Sequence, residues 1–297
     1  MGWGDDPGEG VGKPGGLPVE AYNTGAGTGL QPASERFTGR RVGRGAVCNE
    51  WRAGCFPRGA RAPRLVRGFV SLPPLLIAHA ASLFISFEGI DGSGKSTQAR
   101  LLEAHLQQTG RAVRLVREPG GTPLAERVRA LLLSHEVGIS PFAELLLFSA
   151  ARAQLVEEVV RPSLAAGTVV LADRFFDSTT AYQGGGRGLA DPDWLSDYHR
   201  HVTGGLIPER TFLFDLPPEV AARRRAGRDE GPDRMEAGGE AFFARVRAAY
   251  LALAAREPSR VRVFDGTLPP DWLHEQVVRD VERRLSEKGR VGEREMG

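Results

Sequence analysis

Residues 89–96 carry the residue types that bind phosphate. They read Gly89-Ile-Asp-Gly-Ser-Gly-Lys95-Ser96 and fit the spacing of a glycine-rich phosphate loop at every fixed position. Glycines let the backbone curl so that successive N–H groups point at phosphate oxygens, and a helix beginning near Lys95 adds the positive end of its dipole. The Lys95 ammonium can reach the outer phosphates, and the Ser96 hydroxyl can ligate Mg²⁺. The predicted nucleotide contacts are Gly89, Ile90, Asp91, Gly92, Ser93, Gly94, Lys95, Ser96 and Thr97.

The phosphate loop by itself does not distinguish a kinase from a switch GTPase, a transporter ATPase or a motor. The strings N-K-x-D, expected of a GTPase, and L-S-G-G-Q, expected of a transporter ATPase, do not occur in the sequence. The second half of the chain instead has arginines at predicted strand ends and in loops. A second substrate that carries a phosphate would require such arginines.

Two pairs of residues in that half have the chemistry to bind such a substrate. Phe148 and Arg152 are four residues apart and share a helix face, so a ring that can stack on a base lies beside a guanidinium that can donate to a carbonyl. The alternative is core packing for Phe148 and a solvated charge for Arg152. Asp173 and Arg174 come where a predicted strand ends, and Arg174 can hold a phosphate with two hydrogen bonds. Asp173 is a candidate for holding Mg²⁺ through water, with capping of the turn as its alternative.

Short apolar strands that alternate with helices must position these residues. The predicted strands are Leu83–Phe87, Ala112–Val116, Thr168–Ala172, Thr211–Asp215 and Arg260–Phe264. The predicted helices are Lys95–Gln108, Leu124–Leu133, Pro141–Ala166, Asp193–Thr203, Pro218–Ala226, Glu240–Ala255 and Asp271–Glu287. This order predicts an α/β fold of three layers, in which helices cover both faces of a five-stranded parallel sheet. Ligands of such folds bind beyond the carboxyl ends of the strands.

The first 81 residues differ in composition from the rest of the chain. Residues 1–81 hold 16 of the 38 glycines and 8 of the 20 prolines, and Arg36–Arg67 contains nine arginines and one acid. We expect a disordered extension or a stretch upstream of a mis-assigned start codon, because such a composition cannot bury enough apolar surface to fold. A transit peptide or a nucleic-acid-binding arm is the alternative.

The whole-chain composition is that of a soluble enzyme. Among 297 residues, 26% are charged and 41% hydrophobic, and a net charge of +2 argues against a protein that coats polyanions. Two cysteines, Cys48 and Cys55, exclude a disulfide framework and suit a reducing cytosol. The uncharged stretch Phe69–Phe87 has the length of a membrane span, but Pro73-Pro74 interrupts it and its last third is needed as a strand.

Four further motifs carry a family resemblance. They are Arg117-Glu-Pro-Gly-Gly-Thr122, Phe148-Ser-Ala-Ala-Arg152, Asp173-Arg174-Phe175 and Ala181-Tyr-Gln-Gly-Gly-Gly-Arg-Gly188. Together with the phosphate loop, and in this order, they resemble the motifs of bacterial thymidylate kinases. The resemblance spans roughly residues 83–287, leaves residues 1–81 unmatched, and implies a phosphate-loop NTPase fold.

The resemblance implies roles for the acceptor-binding residues. Arg152 would meet O4 of thymine, and Thr179 and Gln183 would help to read the imide edge of the base. Tyr182 would pack near the 2′ carbon of the sugar, where a ribose hydroxyl would clash. Arg129 resembles the family's second arginine on the acceptor phosphate. The implied acceptor-binding residues are Glu118, Arg129, Phe148, Arg152, Arg174, Ser178, Thr179, Tyr182 and Gln183.

The resemblance also implies a magnesium site and a catalytic set. Glu118 and Asp91 resemble carboxylates that organise Mg²⁺ with its waters and bond the sugar's 3′-hydroxyl, with a solvated charge as the alternative for each. Asp265-Gly-Thr267 would touch adenine or form only a turn. The implied Mg²⁺ ligands are Ser96, Asp173 and Glu118, and the implied catalytic residues are Lys95, Asp91, Arg174 and Arg228.

An arginine-rich segment between two predicted helices has the composition of a mobile lid. Residues 223–236 include five arginines with interspersed glycines, and we place the lid at about residues 224–239. Cations in a closing segment can neutralise a transferred phosphoryl group and exclude water. By resemblance, Gly92 stands where other members carry a loop arginine, so the arginine is expected in the lid. Arg228 is the first candidate for this contact with ATP, and Arg234 is the second.

These observations predict one catalytic domain at residues 82–287, flanked by the 1–81 extension and a polar tail at residues 288–297. The resemblance implies Mg²⁺-dependent phosphoryl transfer from ATP to dTMP in dTTP biosynthesis. It also implies a cytoplasmic homodimer joined through helices near residues 124–166. We expect no nucleic-acid or membrane partner.

Two alternative functions are also compatible with the sequence. A sister enzyme could act on another nucleoside monophosphate or on a deoxynucleoside, for which Glu118 could serve as the base. A non-catalytic ATP-binding or nucleic-acid-associated module could use the basic segment at residues 36–67.

Overall fold

A computed structural model describes residues 82–226, 234–235 and 238–295, with side chains up to residue 290. The predicted extension at 1–81 and all interpretations of it lie outside the described residues, and so does Arg228. Of the predicted lid, residues 227–233, 236 and 237 also lie outside them.

A five-stranded parallel sheet forms the centre of the domain, as the sequence predicts. Its strand order is β2-β3-β1-β4-β5, so β1 is the middle strand, and every residue of β1 is buried. Each observed strand ends one residue later than predicted, except β4, which ends as predicted. The strands are β1 Phe84–Glu88, β2 Val113–Arg117, β3 Val169–Asp173, β4 Arg210–Asp215 and β5 Val261–Asp265.

Helices connect the strands and cover both faces of the sheet. The predicted helices α1 and α7 have the observed bounds, whereas α9 continues past its predicted end at Glu287 through the predicted polar tail to Glu295. The helices are α1 Lys95–Gln108, α2 Pro123–Leu133, α3 Pro141–Leu155, α4 Arg161–Ala165, α5 Phe176–Thr179, α6 Pro192–Val202, α7 Pro218–Ala226, α8 Gly239–Arg256 and α9 Pro270–Glu295. No helix in the described ranges is both long and apolar enough to cross a membrane.

The side chains of β1 show how the three layers arise. Ile85 and Phe87 pack on one face with Leu102 of α1 and Val277 of α9, whereas Phe84 packs on the other face with residues such as Leu155 of α3. Successive residues of a strand point to opposite faces, so one apolar strand can serve two helical layers. The three-layer α/β prediction is therefore confirmed.

A π-helical segment at Thr180–Gly186 follows α5 directly, where the sequence analysis assigns no helix. Its glycines allow close packing against α8. A Cβ on Gly185 would stand 2.4 Å from the Cβ of Ala249, and one on Gly186 would stand 2.6 Å from the Phe242 ring. Glycine disfavours a helix in isolation, so tertiary packing against α8 overrides the local preference here.

Candidate active site

The phosphate loop adopts the curled backbone that its glycines predict. Gly89 has φ 141°, and a Cβ there would stand 2.6 Å from the carbonyl oxygen of Phe214. Gly92 has φ 93°, and a Cβ there would stand 2.8 Å from the carbonyl oxygen of Ala221. Both positions thus exclude a side chain by conformation and by space. The loop lies between β1 and the first turn of α1, where backbone N–H groups are left for a ligand.

A cavity of about 590 Å³ lies over this loop. Its wall includes Gly266 and Leu268. Both lie in the loop after β5, which by family resemblance would touch adenine. Arg224 and Arg225 of α7 donate to the carbonyl oxygens of Gly92 and Asp91, at 3.4 and 2.6 Å. The part of the cavity formed by the phosphate loop is lined by Gly92, Ser93, Gly94, Lys95, Ser96 and Thr97.

Lys95, Asp91 and Arg174 form a partly buried charged cluster at the carboxyl ends of β1 and β3. Lys95 Nζ lies 3.3 Å from Asp91 Oδ1, and Arg174 Nη2 lies 2.6 Å from the same oxygen. Burial raises the pKa of Asp91, but the charges of Arg174 and Lys95 outweigh it and hold that pKa well below its usual range. Burial, together with the neighbouring Arg174, lowers the pKa of Lys95. Two cations share one carboxylate, so the cluster has an excess of positive charge and can bind phosphate anions.

The guanidinium of Arg174 is fixed by several acceptors. Nη1 donates to the carbonyl of Gly89 at 3.0 Å and to Ser178 Oγ at 2.9 Å, and Nη2 donates to the Tyr182 hydroxyl at 3.2 Å. Arg174 has φ 74°, in the left-handed region that few residues other than glycine adopt. The backbone turn and the acceptors together direct the guanidinium from the end of β3 towards the phosphate loop.

Glu88 and Tyr250 support this arrangement, and neither is among the residues predicted for the site. Glu88, the last residue of β1, accepts from Ser178 Oγ at 2.6 Å, from the Tyr250 hydroxyl at 2.9 Å and from the backbone N–H of Phe175 at 2.7 Å. Burial raises the pKa of Glu88, and the nearby charge of Asp177 raises it further. The position of Glu88 at the carboxyl end of a strand could have indicated a site residue, because ligands of such folds bind beyond these strand ends. Tyr250 lies on α8 outside every motif, and only the fold brings it to the site.

A second pocket, of about 100 Å³, gathers the predicted acceptor residues. Pro119, Leu133 and Met235 also line it, and none of these three is among the predicted site residues. The structure brings together there Asp91, Glu118, Arg129, Phe148, Arg152, Arg174, Ser178, Thr179, Tyr182 and Gln183.

Arg152 is a fully buried guanidinium in the wall of this pocket. Its Nε donates to Glu118 Oε2 at 2.8 Å and its Nη2 donates to Thr179 Oγ1 at 3.0 Å. Arg152 Nη1 and Glu118 Oε1 are both buried and have no hydrogen-bond partner within the described residues. A buried polar group without a partner is costly, so these two atoms indicate that a polar ligand completes the pocket. The solvated-charge alternatives for Arg152 and Glu118 do not fit this burial.

Glu118 should make the free energy of unfolding depend on pH. Burial raises its pKa from 4.5 to about 7, although the charge of Arg152 opposes the rise. The folded state holds the proton more tightly than the unfolded state, so the resulting stability is full below pH 4.5 and is lost as the pH rises through about 7. We expect this loss to be on the order of 3 kcal/mol.

The variant Glu118→Gln should lack this pH-dependent loss because it cannot ionise. Urea unfolding of both proteins at a series of pH values from about 5 to 8 measures the difference. Parallel pH profiles for the two proteins would contradict a protonatable buried Glu118.

The remaining predicted arginines differ in where they lie. Arg129 Nη1 donates to the carbonyl of Pro119 at 3.1 Å, at the edge of the acceptor pocket. Arg234 Nε donates to the carbonyl of Leu132 at 2.8 Å, and its Nη1 lies 2.7 Å from Glu144 Oε2. The structure therefore does not bring Arg234, the second candidate for the contact with ATP, to the phosphate loop.

The three predicted magnesium ligands lie in different surroundings. Ser96 lines the cavity over the phosphate loop and Glu118 lines the acceptor pocket. Asp173 Oδ1 at the end of β3 is buried and has no hydrogen-bond partner among the residues that the structure describes, and its charge opposes the lowering of the Lys95 pKa. No group of three His, Cys, Asp or Glu side chains in the described ranges could hold a metal alone. This donor set fits a Mg²⁺ ion that keeps waters and binds substrate phosphates.

Comparison with known proteins shows which family this chain is similar to. The family model for thymidylate kinase matches residues 87–277. A thymidylate kinase from Chlorobium chlorochromatii is 50% identical over 216 residues, covering 68% of this chain and 96% of the relative. One from Deinococcus radiodurans is 50% identical over 202 residues, covering 68% and 97%.

A solved structure is similar as well. The crystal structure of thymidylate kinase from Ehrlichia chaffeensis has a TM-score of 0.55 and 35% identity, and the match covers 68% of this chain and 99% of that one. The phosphate loop, the acceptor pocket and these matches lead to one conclusion: the chain belongs to the thymidylate kinase family, enzymes that phosphorylate dTMP to dTDP with a nucleotide donor.

Proposed function

We propose that this member of the family takes the γ-phosphoryl group from Mg²⁺-bound ATP and passes it to dTMP, in dTTP biosynthesis. A phosphate oxygen of dTMP forms a bond to the γ-phosphorus as the bond from that phosphorus to the β-phosphate oxygen breaks. The products are dTDP and ADP. The acceptor phosphate is largely ionised at neutral pH, so no side chain has to remove a proton from it.

Arg152 Nη1, which has no hydrogen-bond partner in the described part of the chain, carries this proposal. Arg152 would donate from that atom to O4 of thymine, and Phe148 would lie against the base. Thr179 and Gln183 would contribute to the reading of the imide edge. Tyr182 would lie against the 2′ carbon of the sugar and exclude a ribose.

Phosphoryl transfer would depend on positioning and on neutralisation of charge. Arg174 would hold the dTMP phosphate with Arg129, and Lys95 would contact the outer phosphates of ATP. Ser96, and Asp173 through water, would hold Mg²⁺, which supplies positive charge to the phosphates when bound. In this scheme Asp91 keeps Lys95 and Arg174 together. Arg228 would approach the transferred group from the lid.

We also propose the remaining organisation. Residues 82–287 would form the catalytic domain with a lid at about 224–239, and the enzyme would be a cytoplasmic homodimer without nucleic-acid or membrane partners. Exposed apolar side chains on α2 and α3 support a dimer through these helices, because an interface there would remove their apolar surface from water. They are Leu124, Leu131, Phe142 and Leu146.

An assay of the full chain with ATP and Mg²⁺ tests the proposed function. It would compare dTMP, dUMP, dCMP, AMP and thymidine as acceptors and quantify ADP and the phosphorylated product. We expect dTMP to be the best acceptor, with equal amounts of dTDP and ADP formed and no turnover in EDTA. Turnover of thymidine but not of dTMP would contradict the proposal.

A further inference from the structure

Glu144 is a buried carboxylate beside the acceptor pocket that the proposed chemistry does not use. It lies in the first turn of α3, and 1% of its surface is exposed. Its Oε1 accepts from Gln183 Nε2 at 2.8 Å and from Arg187 Nε at 3.3 Å. Its Oε2 lies 2.7 Å from Arg234 Nη1. Two guanidinium groups and one amide therefore converge on a single carboxylate.

The polarity of these hydrogen bonds fixes the orientation of the Gln183 amide. An ionised carboxylate only accepts hydrogen bonds, so Gln183 must turn its NH₂ group towards Glu144. Burial raises the pKa of Glu144, but the hydrogen bonds from Gln183, Arg187 and Arg234 outweigh it and lower that pKa, so the carboxylate stays ionised. Gln183 lines the acceptor pocket, so its amide oxygen, at the end of the amide not bonded to Glu144, is then the group available to a ligand.

We propose that Glu144 is a positioning residue for base selection: it holds the Gln183 amide so that an acceptor oxygen, and not the NH₂ group, faces the bound pyrimidine. The inference rests on the proposed orientation of dTMP, with the base edge towards Arg152 and Gln183.

The resulting pattern separates thymine from cytosine. Arg152 Nη1 offers a donor and Gln183 offers an acceptor. Thymine presents the matching pair, a carbonyl oxygen at position 4 and an N–H at position 3. Cytosine presents an amino group and an unprotonated ring nitrogen at these positions, so both contacts would be mismatched. Glu144 acts through Gln183 and does not touch the substrate.

The variant Glu144→Gln tests the proposal. A carboxamide can donate as well as accept, so it permits the Gln183 amide to turn over. We expect the ratio of the Kd for dCMP to the Kd for dTMP to fall roughly 10-fold to 100-fold. The loss should appear in the KM for dTMP and leave kcat within a factor of about three. An equal weakening of both nucleotides, or a loss confined to kcat, would overturn the proposal.

Four further variants separate positioning from general damage. Glu144→Asp keeps the carboxylate and should retain selectivity for dTMP. Glu144→Gln combined with Gln183→Met should be no less selective than Gln183→Met alone, because the effect of Glu144 passes through Gln183. The exposed Glu157→Gln on the segment after α3 is the matched control, and it should leave both Kd values unchanged. An additive effect in the double variant would overturn the proposal.

One measurement uses the unmodified chain, so it does not depend on whether a variant folds. Neutron diffraction from the deuterium-exchanged full chain with bound dTMP locates the exchanged deuterium atoms. It therefore shows which end of the Gln183 amide is the NH₂ group and which is the oxygen. We expect the NH₂ group to face Glu144 and the oxygen to face N3 of the base; the reverse would overturn the inference. Failure of the unmodified chain to bind or phosphorylate dTMP would instead refute the proposed function, so the two failures are distinguishable.

Discussion

Replacing Lys95 by methionine is expected to lower kcat by at least about 100-fold to 1,000-fold, the usual cost of removing one electrostatic contact with a transition state. Lys95 supplies an ammonium at the phosphate loop, and its Nζ lies 3.3 Å from Asp91. Methionine keeps the length and apolar character of the side chain but removes the charge. Initial rates at saturating dTMP and ATP measure the effect.

The matched control for this variant is Lys288→Met. Lys288 lies on α9 and donates to the carbonyl of Ser82, away from both pockets. Its replacement should leave kcat unchanged. Thermal unfolding should show that Lys95→Met is folded at the assay temperature, because Asp91 keeps its hydrogen bonds from Arg174 and Tyr182. A kcat within tenfold of the unmodified chain would contradict the role assigned to Lys95.

Replacing Arg174 by lysine is expected to lower kcat/KM for dTMP by at least about 100-fold. Lysine keeps the charge but has one nitrogen, so it cannot reproduce the planar fork that holds Asp91 through Nη2 and Ser178 through Nη1. Bidentate contact with the acceptor phosphate should be lost at the same time. Steady-state kinetics with each substrate varied in turn measure the change, which should be larger in kcat/KM for dTMP than in KM for ATP.

Arg114→Lys is the control for this second prediction. Arg114 is exposed on β2, and the same chemical change there should leave the kinetics unaltered. Unfolding curves must accompany the assay, since Arg174 also stabilises the cluster around Asp91. A variant Arg174→Lys that loses affinity for ATP but keeps its KM for dTMP would refute the placement of the acceptor phosphate.

The sequence predicted the fold and the phosphate loop well because both depend on local signals. Alternating apolar strands and helices located all five strands to within one residue at each end, and the spacing of Gly89, Gly92 and Gly94 predicted a curled loop before α1. Phe148 and Arg152, which the sequence placed on one helix face, both line the acceptor pocket.

Other features could not be predicted because they depend on contacts between distant residues. Tyr250 lies on α8, 162 positions from Glu88, and meets it only after the sheet forms. Glu144 has no motif of its own, and its role follows from Gln183 and Arg234 reaching it from other elements. The helical course of Thr180–Gly186 contradicts the local preference of its glycines, which pack against α8.

In the proposed mechanism, two phosphate groups meet between Lys95 and Arg174. A crystal structure of the full chain with dTMP, Mg²⁺ and a non-hydrolysable ATP analogue tests this arrangement. We expect the dTMP phosphate on Arg174, the base against Phe148 and Arg152, and the γ-phosphate of the analogue at Lys95, facing the acceptor oxygen. A dTMP molecule bound elsewhere, with the pocket beside Arg152 empty, would contradict it.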